Sequence, residues 1–287
     1  MEYEGVASSS RGKQKINRCL LIGIITFLAF AIILAFVLVY TLKKEHGPRE
    51  TVLSRCQRYL DANPSASSVN DCERIWSVFE QAYVGKDPCD VAPEAYDPLI
   101  KAVQQKVPCN ENLFWSKTNE MAHALTKNRN CLMTLEDTLL GFMFNGLTWC
   151  SKNGSKETFT TGCPGWMECI NPMRSFWIRA SANFAATACG NVSVMLNGSI
   201  NSPFNPDSIF ASVEMQNFNP ATMDSLRVLL VTKETDMMTC SNKSLMDLQT
   251  LLSSGPLRAV TYTCRVIPHA KVKNCIDDLE IPCSDCW

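Results

Sequence analysis

The sequence is poor in the residues and motifs on which many enzymes depend. It has only 3 histidines in 287 residues, and their placement relative to the cysteines matches no metal-site spacing. It contains neither a Gly-x-Gly-x-x-Gly phosphate loop nor a Gly-x-Ser-x-Gly nucleophile elbow. Its net charge of −1 and its lack of a basic face argue against nucleic acid as a partner. The sequence therefore predicts no metal, no cofactor bound through a phosphate loop and no nucleic-acid function.

What the chain does have is one long apolar run. Residues 19–42 carry no charge, and as a helix they would be ~36 Å long, enough to cross a hydrocarbon core of ~30 Å. A helix buried in a protein core would show a polar face, and the apolar part of a signal peptide spans only ~7–15 residues. The run predicts a single uncleaved anchor in the lipid bilayer, preceded by a short tail, residues 1–18, and followed by a polar stalk, residues 43–54.

The orientation of this anchor follows from chemistry on its C-terminal side. Lysine and arginine are nearly balanced on the two flanks, so the positive-inside rule does not decide it. All but one of the 15 cysteines follow the anchor. So do the four Asn-x-Ser/Thr glycosylation sequons, at Asn153, Asn191, Asn197 and Asn242. Disulfides and N-glycans both belong to the secretory lumen and cell exterior. We expect a single-pass type II protein of the cell membrane, with residues 1–18 cytoplasmic and residues 45–287 extracellular.

The hydrophobic periodicity of this ectodomain changes near Gly190. Helical spacing predicts helices that start near Ser68, after Trp115 with Ser116 as the cap, and at Thr134, and a fourth over about residues 173–189. Later segments alternate or form short apolar runs, which predicts strands near residues 192–196, 209–215, 226–232 and 260–266 and a helix over 245–252. Strand, helix and strand at this spacing indicate a parallel βαβ unit. The predicted class is α/β (α+β), with a mainly helical lobe, residues 55–189, and a parallel-sheet α/β lobe, residues 190–287.

Composition alone would fit a surface receptor as well as an enzyme, but six short motifs occur in a specific order. They are Leu-Phe-Trp-Ser at 113–116, Thr-Leu-Glu-Asp-Thr at 134–138, Leu-Thr-Trp-Cys at 147–150, Ser-Phe-Trp at 175–177, Val-Met-Leu-Asn-Gly-Ser at 194–199 and Ser-Val-Glu at 212–214. This order resembles the ADP-ribosyl cyclase family, which acts on NAD, over nearly all of residues 50–287. The apolar anchor favours the transmembrane branch of that family over its lipid-anchored branch.

The resemblance implies a pocket between the two lobes. Glu214 matches the family's catalytic glutamate, Glu136 the acid that influences product choice, and Trp115 and Trp177 the aromatic walls. Other substrate-binding positions match Ser116, Lys117, Asp137 and Phe210. Judged without the resemblance, Glu214 would be a solvent-facing strand residue. For Asp137, capping of a helix remains as good a reading as a pocket role. Lys117 stands where arginine is common in the family, and Asn145 and Ile209 also depart from its pattern.

The resemblance also implies an activity. It is cleavage of the nicotinamide–ribose bond of NAD to give nicotinamide and ADP-ribose, with synthesis and hydrolysis of cyclic ADP-ribose. Base exchange on NADP and a link to calcium signalling are further implications, and NAD and NADP would be substrates rather than cofactors. The alternative is a surface receptor or adhesion glycoprotein that has lost turnover. The presence of Glu214, Trp115 and Trp177 argues for the enzyme.

A disulfide scheme comes from the resemblance as well. It pairs Cys56 with Cys72, Cys89 with Cys169, Cys109 with Cys189, Cys150 with Cys163, Cys240 with Cys264, and Cys275 with Cys283. This scheme leaves Cys131 and Cys286 without partners, in addition to Cys19 in the anchor. Under this scheme, either cysteine is available to form a disulfide with a second chain and so link a homodimer.

Overall fold

The computed structural model describes residues 27–28, 30–34, 47–64, 71–233 and 238–287. The chain divides into two compact units, Met1–Gly47 and Pro48–Trp287. In the first unit, residues 27–28 and 30–34 are helical. Within the described ranges, no helix is both long and apolar enough to cross a membrane. The predicted tail 1–18 and most of the predicted anchor 19–42 lie outside the described residues.

The second unit begins with helices and one short strand. In chain order these are α1 (Pro48–Ala62), α2 (Cys72–Tyr83), a 3₁₀ turn (Pro93–Tyr96), α3 (Asp97–Ala102), β1 (Leu113–Ser116), α4 (Asn119–Asn128), a 3₁₀ turn (Leu135–Asp137), α5 (Leu139–Phe144) and α6 (Pro172–Ala186).

The remaining elements alternate between strand and helix. They are β2 (Gly190–Asn197), a π-turn (Phe210–Glu214) that continues as one helical turn (Met215–Asn217), β3 (Met223–Thr232), α7 (Lys243–Ser254), a 3₁₀ turn (Pro256–Ala259), β4 (Thr261–Pro268), α8 (His269–Asp277) and a 3₁₀ turn (Cys283–Asp285).

The four strands form one parallel sheet in the order β1-β2-β3-β4. Strand β3, helix α7 and strand β4 form the predicted parallel βαβ unit, which is confirmed. Strand β1 comes from the part of the chain that the sequence assigns to the helical lobe, so the sheet draws on both parts. Because the strands are parallel, their carboxyl ends share one edge, and that edge is where ligands bind in sheets of this kind.

Both faces of the sheet are covered by helices. Phe114, Val194 and Val228 face a large cluster that includes side chains of α6 and α7. Leu113 and Leu229 face the opposite way, onto a smaller cluster with residues of α4 and α8. Successive residues of a strand alternate between faces. Burial on both sides therefore explains why residues 228–231 of β3 are all apolar instead of alternating with polar residues.

Aromatic rings form the core of the helical part. Phe79 lies 4.4 Å from Phe144 and 5.2 Å from Trp149 between ring centroids. Phe144 in turn lies 4.8 Å from Phe176 of α6. The indole N–H of Trp149 donates to the hydroxyl of Tyr96 at 3.0 Å, which satisfies a polar group inside the core. These contacts fix α6, the helix that contains Trp177.

Seven disulfides connect the described residues, and five of them are pairs that the family resemblance implies. The expected pair Cys275–Cys283 is wrong. Cys283 bonds to Cys131 instead, and Cys275 bonds to Cys286. The physical reason is the path of the C-terminal segment. The buried guanidinium of Arg129 donates to the backbone carbonyls of Asp278 and Ile281, which brings this segment beside Cys131.

Several predicted boundaries also need correction. The stalk predicted over residues 43–54 is helical from Pro48, and Val52 is buried in the core. Helix α2 begins after Asp71, whose carboxylate accepts from the backbone N–H of Arg74. Ser68, the predicted start, lies outside the described residues. Ser116 is the last residue of β1 rather than a cap, since helix α4 begins after Thr118.

Gly190 begins a strand instead of ending a helix. Helix α6 ends at Ala186, and Gly190 is the first residue of β2, with φ +70°. A side chain there would meet the carboxamide of Asn110. The chain therefore needs glycine at this position for its backbone angle and for the close approach of Asn110.

Candidate active site

Glu214 is the last residue of the π-turn that follows β2. The sequence predicts a strand over residues 209–215, but the chain forms a π-turn at Phe210–Glu214, and this local structure often occurs at functional sites. The prediction fails because residues 209–215 are buried by neighbouring helices and not by a sheet partner. Burial also overturns the reading of Glu214 as solvent-facing, since only 8% of the residue is exposed.

The environment of Glu214 favours its neutral form. Burial, with a smaller contribution from the negative charge of Glu136, raises the pKa of this carboxyl to about 8. A hydrogen bond with the side chain of Ser181 acts in the opposite direction and lowers the pKa. The influence of Glu136 shows that the two carboxyl groups are close enough to repel each other. A cation between them would relieve both the desolvation and the repulsion.

Glu136 lies on the 3₁₀ turn that contacts α4 and α6. The indole N–H of Trp115 donates to its Oε2 at 3.4 Å. On the other side, His123 Nε2 lies 4.0 Å from its Oε1. The rings of Trp115 and His123 meet edge to face, with centroids 5.5 Å apart. Three residues from β1, α4 and the 3₁₀ turn thus form one polar cluster beside Glu214.

A glycine on helix α5 permits this arrangement. A Cβ added at Gly141 would collide with the carbonyl of Leu135 and with the Cα of Glu136. The turn that contains Glu136 therefore packs directly on the backbone of α5. Thr134 and Asp137 hold the same turn from its start through a capping box. In it, the Asp137 carboxylate accepts from the Thr134 backbone N–H at 2.8 Å and from its hydroxyl at 2.7 Å.

The two predicted aromatic walls come from different elements. Trp115 is the third residue of β1, near the carboxyl edge of the sheet, and it is half-buried. Trp177 is on α6, also half-buried, and packs edge to face on Phe176 with centroids 5.1 Å apart. Both β1 and α6 contact the π-turn that contains Glu214. The structure therefore brings together the elements that contain both tryptophans and both glutamates.

The other predicted binding residues have mixed positions. Ser116 is buried at the end of β1. Lys117 is exposed, with a left-handed φ of +59°, and its carbonyl accepts from the side chain of Asn197 at 3.2 Å. Asp137 makes the capping contacts described above. Phe210 is buried among aromatic rings, including Phe114 at 6.3 Å, and supports the π-turn from inside the core.

Two residues of this cluster are absent from the sequence-based site. Ser181 lies four residues after Trp177 on α6, and helical spacing puts both on one face, so that periodicity was the available signal. His123 is on α4, and its Nε2 is buried with no hydrogen-bond partner among the described residues. Sequence alone gives no reason to connect His123 with Glu136, because only the fold brings them together.

The four predicted sequons differ in accessibility. Asn153 and Asn191 are exposed. Asn197 is half-buried and holds the carbonyl of Lys117. Asn242 caps α7 through its side-chain oxygen and donates to the carbonyl of Asn201 at 3.2 Å.

The cluster's chemistry is anionic and aromatic. Within the described ranges there is no group of three or more His, Cys, Asp or Glu side chains placed to hold a metal ion. A cavity of about 430 Å³ borders the outer side of the π-turn, at Ala211, Ser212 and Met215, but Glu214 does not line it. The buried carboxyl of Glu214 and the indole rings are suited to a flat, positively charged group rather than to an anion.

Comparison with known proteins agrees with this chemistry. The family model described as ADP-ribosyl cyclase matches residues 46–284. ADP-ribosyl cyclase/cyclic ADP-ribose hydrolase 1 of Rattus norvegicus is 36% identical over 220 residues, covering 75% of this chain and 72% of the rat protein. The corresponding enzyme of Aplysia californica is 34% identical over 229 residues, covering 76% of this chain and 79% of its own length.

Solved structures give the same result. Porcine CD38 complexed with a covalent intermediate superimposes with a TM-score of 0.73 at 37% identity, covering 78% of this chain and 97% of the porcine chain. Aplysia cyclase complexed with substrate NGD and product cGDPR superimposes with a TM-score of 0.72 at 28% identity, covering 84% and 96% of the two chains. The match in sequence and fold, with acidic and aromatic residues at the carboxyl edge of the sheet, places this chain in the ADP-ribosyl cyclase family.

Proposed function

We propose that this chain cleaves the nicotinamide–ribose bond of NAD, releasing nicotinamide and forming ADP-ribose together with some cyclic ADP-ribose. The observation that supports the proposal most directly is the buried carboxyl of Glu214, with a pKa raised to about 8 and a second carboxyl nearby. Perturbed carboxyl groups of this kind are typical of catalytic sites. Base exchange on NADP would use the same site, because it begins with the same bond cleavage.

The reaction needs one carboxylate at the ribose. Nicotinamide leaves from NAD as a neutral ring after carrying a positive charge in the substrate, so no general acid has to protonate it. Glu214 stabilises the oxocarbenium-like ribosyl centre by its charge or by a transient covalent bond, as the nucleophile does in retaining glycosidases. The electron pair of the broken bond stays with the nicotinamide nitrogen, which neutralises the ring.

The raised pKa of Glu214 couples its ionisation to substrate binding. In the free protein, burial and Glu136 keep much of the carboxyl protonated at neutral pH. A pyridinium ring beside it favours the charged form and lowers the pKa. The nucleophile is therefore most anionic when a cationic substrate is present.

Glu136 and the tryptophans act on binding and on the fate of the ribosyl intermediate. The indole faces of Trp115 and Trp177 hold the cationic nicotinamide. After nicotinamide leaves, water attack gives ADP-ribose, and attack by the adenine ring gives cyclic ADP-ribose. Glu136 fixes the Trp115 indole through its hydrogen bond. It thereby influences whether the adenine ring or a water molecule is closer to the ribosyl intermediate, and so which of the two attacks it.

We also propose that the protein is anchored in the cell membrane by residues 19–42, with residues 45–287 outside the cell. The seven disulfides and the exposed sequons Asn153 and Asn191 support an oxidising, glycosylating compartment. Cys131 and Cys286 are both bonded within the chain, so they offer no free thiol for a disulfide-linked homodimer. An antibody to residues 1–18 should stain cells only after permeabilisation, and staining of intact cells would contradict this topology.

The experiment that separates an enzyme from a surface receptor is an assay of nicotinamide release. Wild-type protein should release nicotinamide from external NAD. Glu214→Gln keeps the shape of the side chain and removes its charge, and we expect a loss of roughly 10²–10³ in rate. Nicotinamide, ADP-ribose and cyclic ADP-ribose should all fall together. A wild-type protein that folds, reaches the surface and releases no nicotinamide would support the receptor instead.

A further inference from the structure

A second polar cavity lies at the other end of the sheet from Glu214. It has a volume of about 410 Å³, and Arg227 of β3 and Arg265 of β4 line it. We call it the Arg227–Arg265 groove. Arg227 pairs with Thr263 in the strand register, and Arg265 is two residues further along β4, so both arginines are on the same face of the sheet.

This face is the one that α4 and α8 cover further along the strands. Leu229 and Ile267, two residues after each arginine, are buried in the cluster beneath those helices. The arginines come earlier in their strands, beyond the edge of the helices. The groove is therefore open to solvent at the amino ends of β3 and β4, whereas the candidate active site is at their carboxyl ends.

The two guanidinium groups influence each other, and in the part of the chain that the structure describes only that of Arg265 has a hydrogen-bond partner. Burial and the positive charge of Arg265 both lower the pKa of Arg227, which shows that the like charges act on each other. Arg265 donates to the backbone carbonyl of Trp287 at 3.2 Å. Within the described ranges, the guanidinium of Arg227 has no hydrogen bond or ion pair, although the residue is half-buried. A half-buried cation next to a second cation is costly unless an anion is bound.

The remaining lining supplies one hydroxyl donor and an apolar wall. Thr263 has an exposed hydroxyl, whereas the hydroxyls of Ser225 and Ser284 already donate to Asn191 and Asp285 and face the ligand only as acceptors. No carboxylate side chain lines the groove. The indole of Trp287 forms part of the wall. Tetrahedral oxyanions are commonly bound by hydrogen bonds from arginine guanidinium groups and from hydroxyl groups. The volume is in the range of pockets for small organic molecules and exceeds what a bare ion would fill.

We propose that the Arg227–Arg265 groove binds a sugar-sized molecule through its phosphate or sulfate ester group. The two arginines hold the ester oxygens, and the hydroxyl of Thr263 donates a further hydrogen bond to them. The site is separate from the proposed NAD site and does not depend on its activity.

The test is calorimetric titration with glucose 6-phosphate, glucose 6-sulfate and unmodified glucose. Both the wild-type protein and Ser193→Ala are titrated, because Ser193→Ala removes the sequon of the groove residue Asn191 and with it any glycan that would occupy the same space. This change is mild, because the Ser193 hydroxyl is buried without a partner among the described residues. Ester binding by Ser193→Ala alone would overturn the proposal for the glycosylated protein. At least one ester should bind, and glucose should not. Preference for one ester identifies whether the natural ligand is phosphorylated or sulfated.

Variants then assign the binding to the arginines. Arg227→Gln should weaken ester binding roughly tenfold or more, since it removes a charge-assisted hydrogen-bond donor. The ester affinity of Arg227→Lys should lie between those of wild type and Arg227→Gln, because lysine keeps the positive charge and loses the bidentate geometry of the guanidinium. Arg74→Gln, an exposed arginine on α2, and Trp177→Ala, in the proposed NAD site, should leave ester affinity unchanged. Nicotinamide release should be the same in Arg227→Gln and wild type.

Two further results would overturn the proposal. One is an ester that binds no more tightly than glucose, and the other is ester affinity that Arg227→Gln leaves unchanged. If Arg227→Gln does not fold, Arg265→Gln provides the same test, because Arg265 is exposed and its loss leaves the core untouched.

Discussion

Trp115 donates its indole N–H to Glu136 across 3.4 Å, and this contact joins a strand of the sheet to a 3₁₀ turn that follows helix α4. The two residues are therefore one unit, in which the carboxylate sets the orientation of the ring. A change at Glu136 should alter the shape of the site more than the strength of its central charge.

The first prediction concerns Glu136→Gln. Nicotinamide release should stay within about one decade of wild type, a barrier change of ~1.4 kcal/mol, because Glu214 still performs bond cleavage. The ratio of cyclic to linear product should change, since a neutral amide oxygen accepts the Trp115 indole N–H less strongly than a carboxylate does. Nicotinamide, ADP-ribose and cyclic ADP-ribose are quantified together. Loss of nicotinamide release in this variant, with retention in Glu214→Gln, would reverse the two assignments.

A second prediction assigns His123 to positioning. Its Nε2 lies 4.0 Å from Glu136, and its ring packs on Trp115. His123→Phe keeps a ring against Trp115 and removes the interaction with Glu136. The product ratio should move in the same direction as in Glu136→Gln, by a smaller factor, with nicotinamide release nearly unchanged. His269→Phe, at an exposed histidine, is the matched control. An unchanged product ratio in His123→Phe would remove His123 from the site.

The third prediction is a pH profile. Since Glu214 must be ionised to act and its pKa in the free protein is about 8, kcat/KM should rise with pH and level off above about pH 8. The profile of kcat should level off at a lower pH than that of kcat/KM, because the bound pyridinium favours the carboxylate. Ser181→Ala removes a hydrogen bond that lowers the pKa, so it should move the kcat/KM profile to higher pH. A shift to lower pH would contradict the role given to Ser181.

Stability should depend on pH through the same carboxyl. The pKa of Glu214 is about 8 in the folded protein, above the ordinary value of 4.5. Between these values the folded state binds more protons than the unfolded state, so the free energy of unfolding falls as pH rises. Glu214→Gln lacks this titration. Its gain in stability over wild type should be small near pH 5 and reach the order of a few kcal/mol above about pH 8. Parallel denaturant titrations at both pH values measure it, and a gain that is larger at pH 5 would be the wrong sign.

The fifth prediction concerns the corrected disulfides. Peptide mapping without reduction should recover Cys131 joined to Cys283 and Cys275 joined to Cys286. Removing both members of the first pair should destabilise the fold by about 2–5 kcal/mol while leaving the NAD site assembled. Recovery of a Cys275–Cys283 peptide would restore the pairing implied by the family resemblance.

The sequence predicts the features of this chain that depend on local pattern. Helix α7 and strands β3 and β4 appear where their periodicity indicates. The parallel arrangement follows from the strand–helix–strand spacing. Asp137 is in the capping box that Thr134 and its neighbours suggest. In each case neighbouring residues determine the structure, so a local pattern is sufficient.

Features that depend on contacts between distant parts of the chain could not be predicted from local sequence patterns. Residues 209–215 have the composition of a strand, but they pack mainly against helix α6 and form a π-turn instead of joining the sheet. The short strand β1 exists because β2 aligns with it some 80 residues later, as the bond between the nearby Cys109 and Cys189 also reflects. Ser181 and His123 lie at the site only because helices α6 and α4 pack against it, which a local sequence pattern does not show. The role proposed for Glu214 rests on the family motif, whereas its raised pKa follows mainly from burial, which only the fold reveals.

The bond between Cys131 and Cys283 spans 152 residues of sequence. During translation, Cys131 is therefore made long before its partner, and Cys275 also has to wait for Cys286. Both thiols remain available for wrong pairing until the final segment emerges. A chain in which residues 283–286 have not yet been made leaves Cys131 and Cys275 without their native partners, so the order of synthesis makes these two bonds the latest of the seven to form.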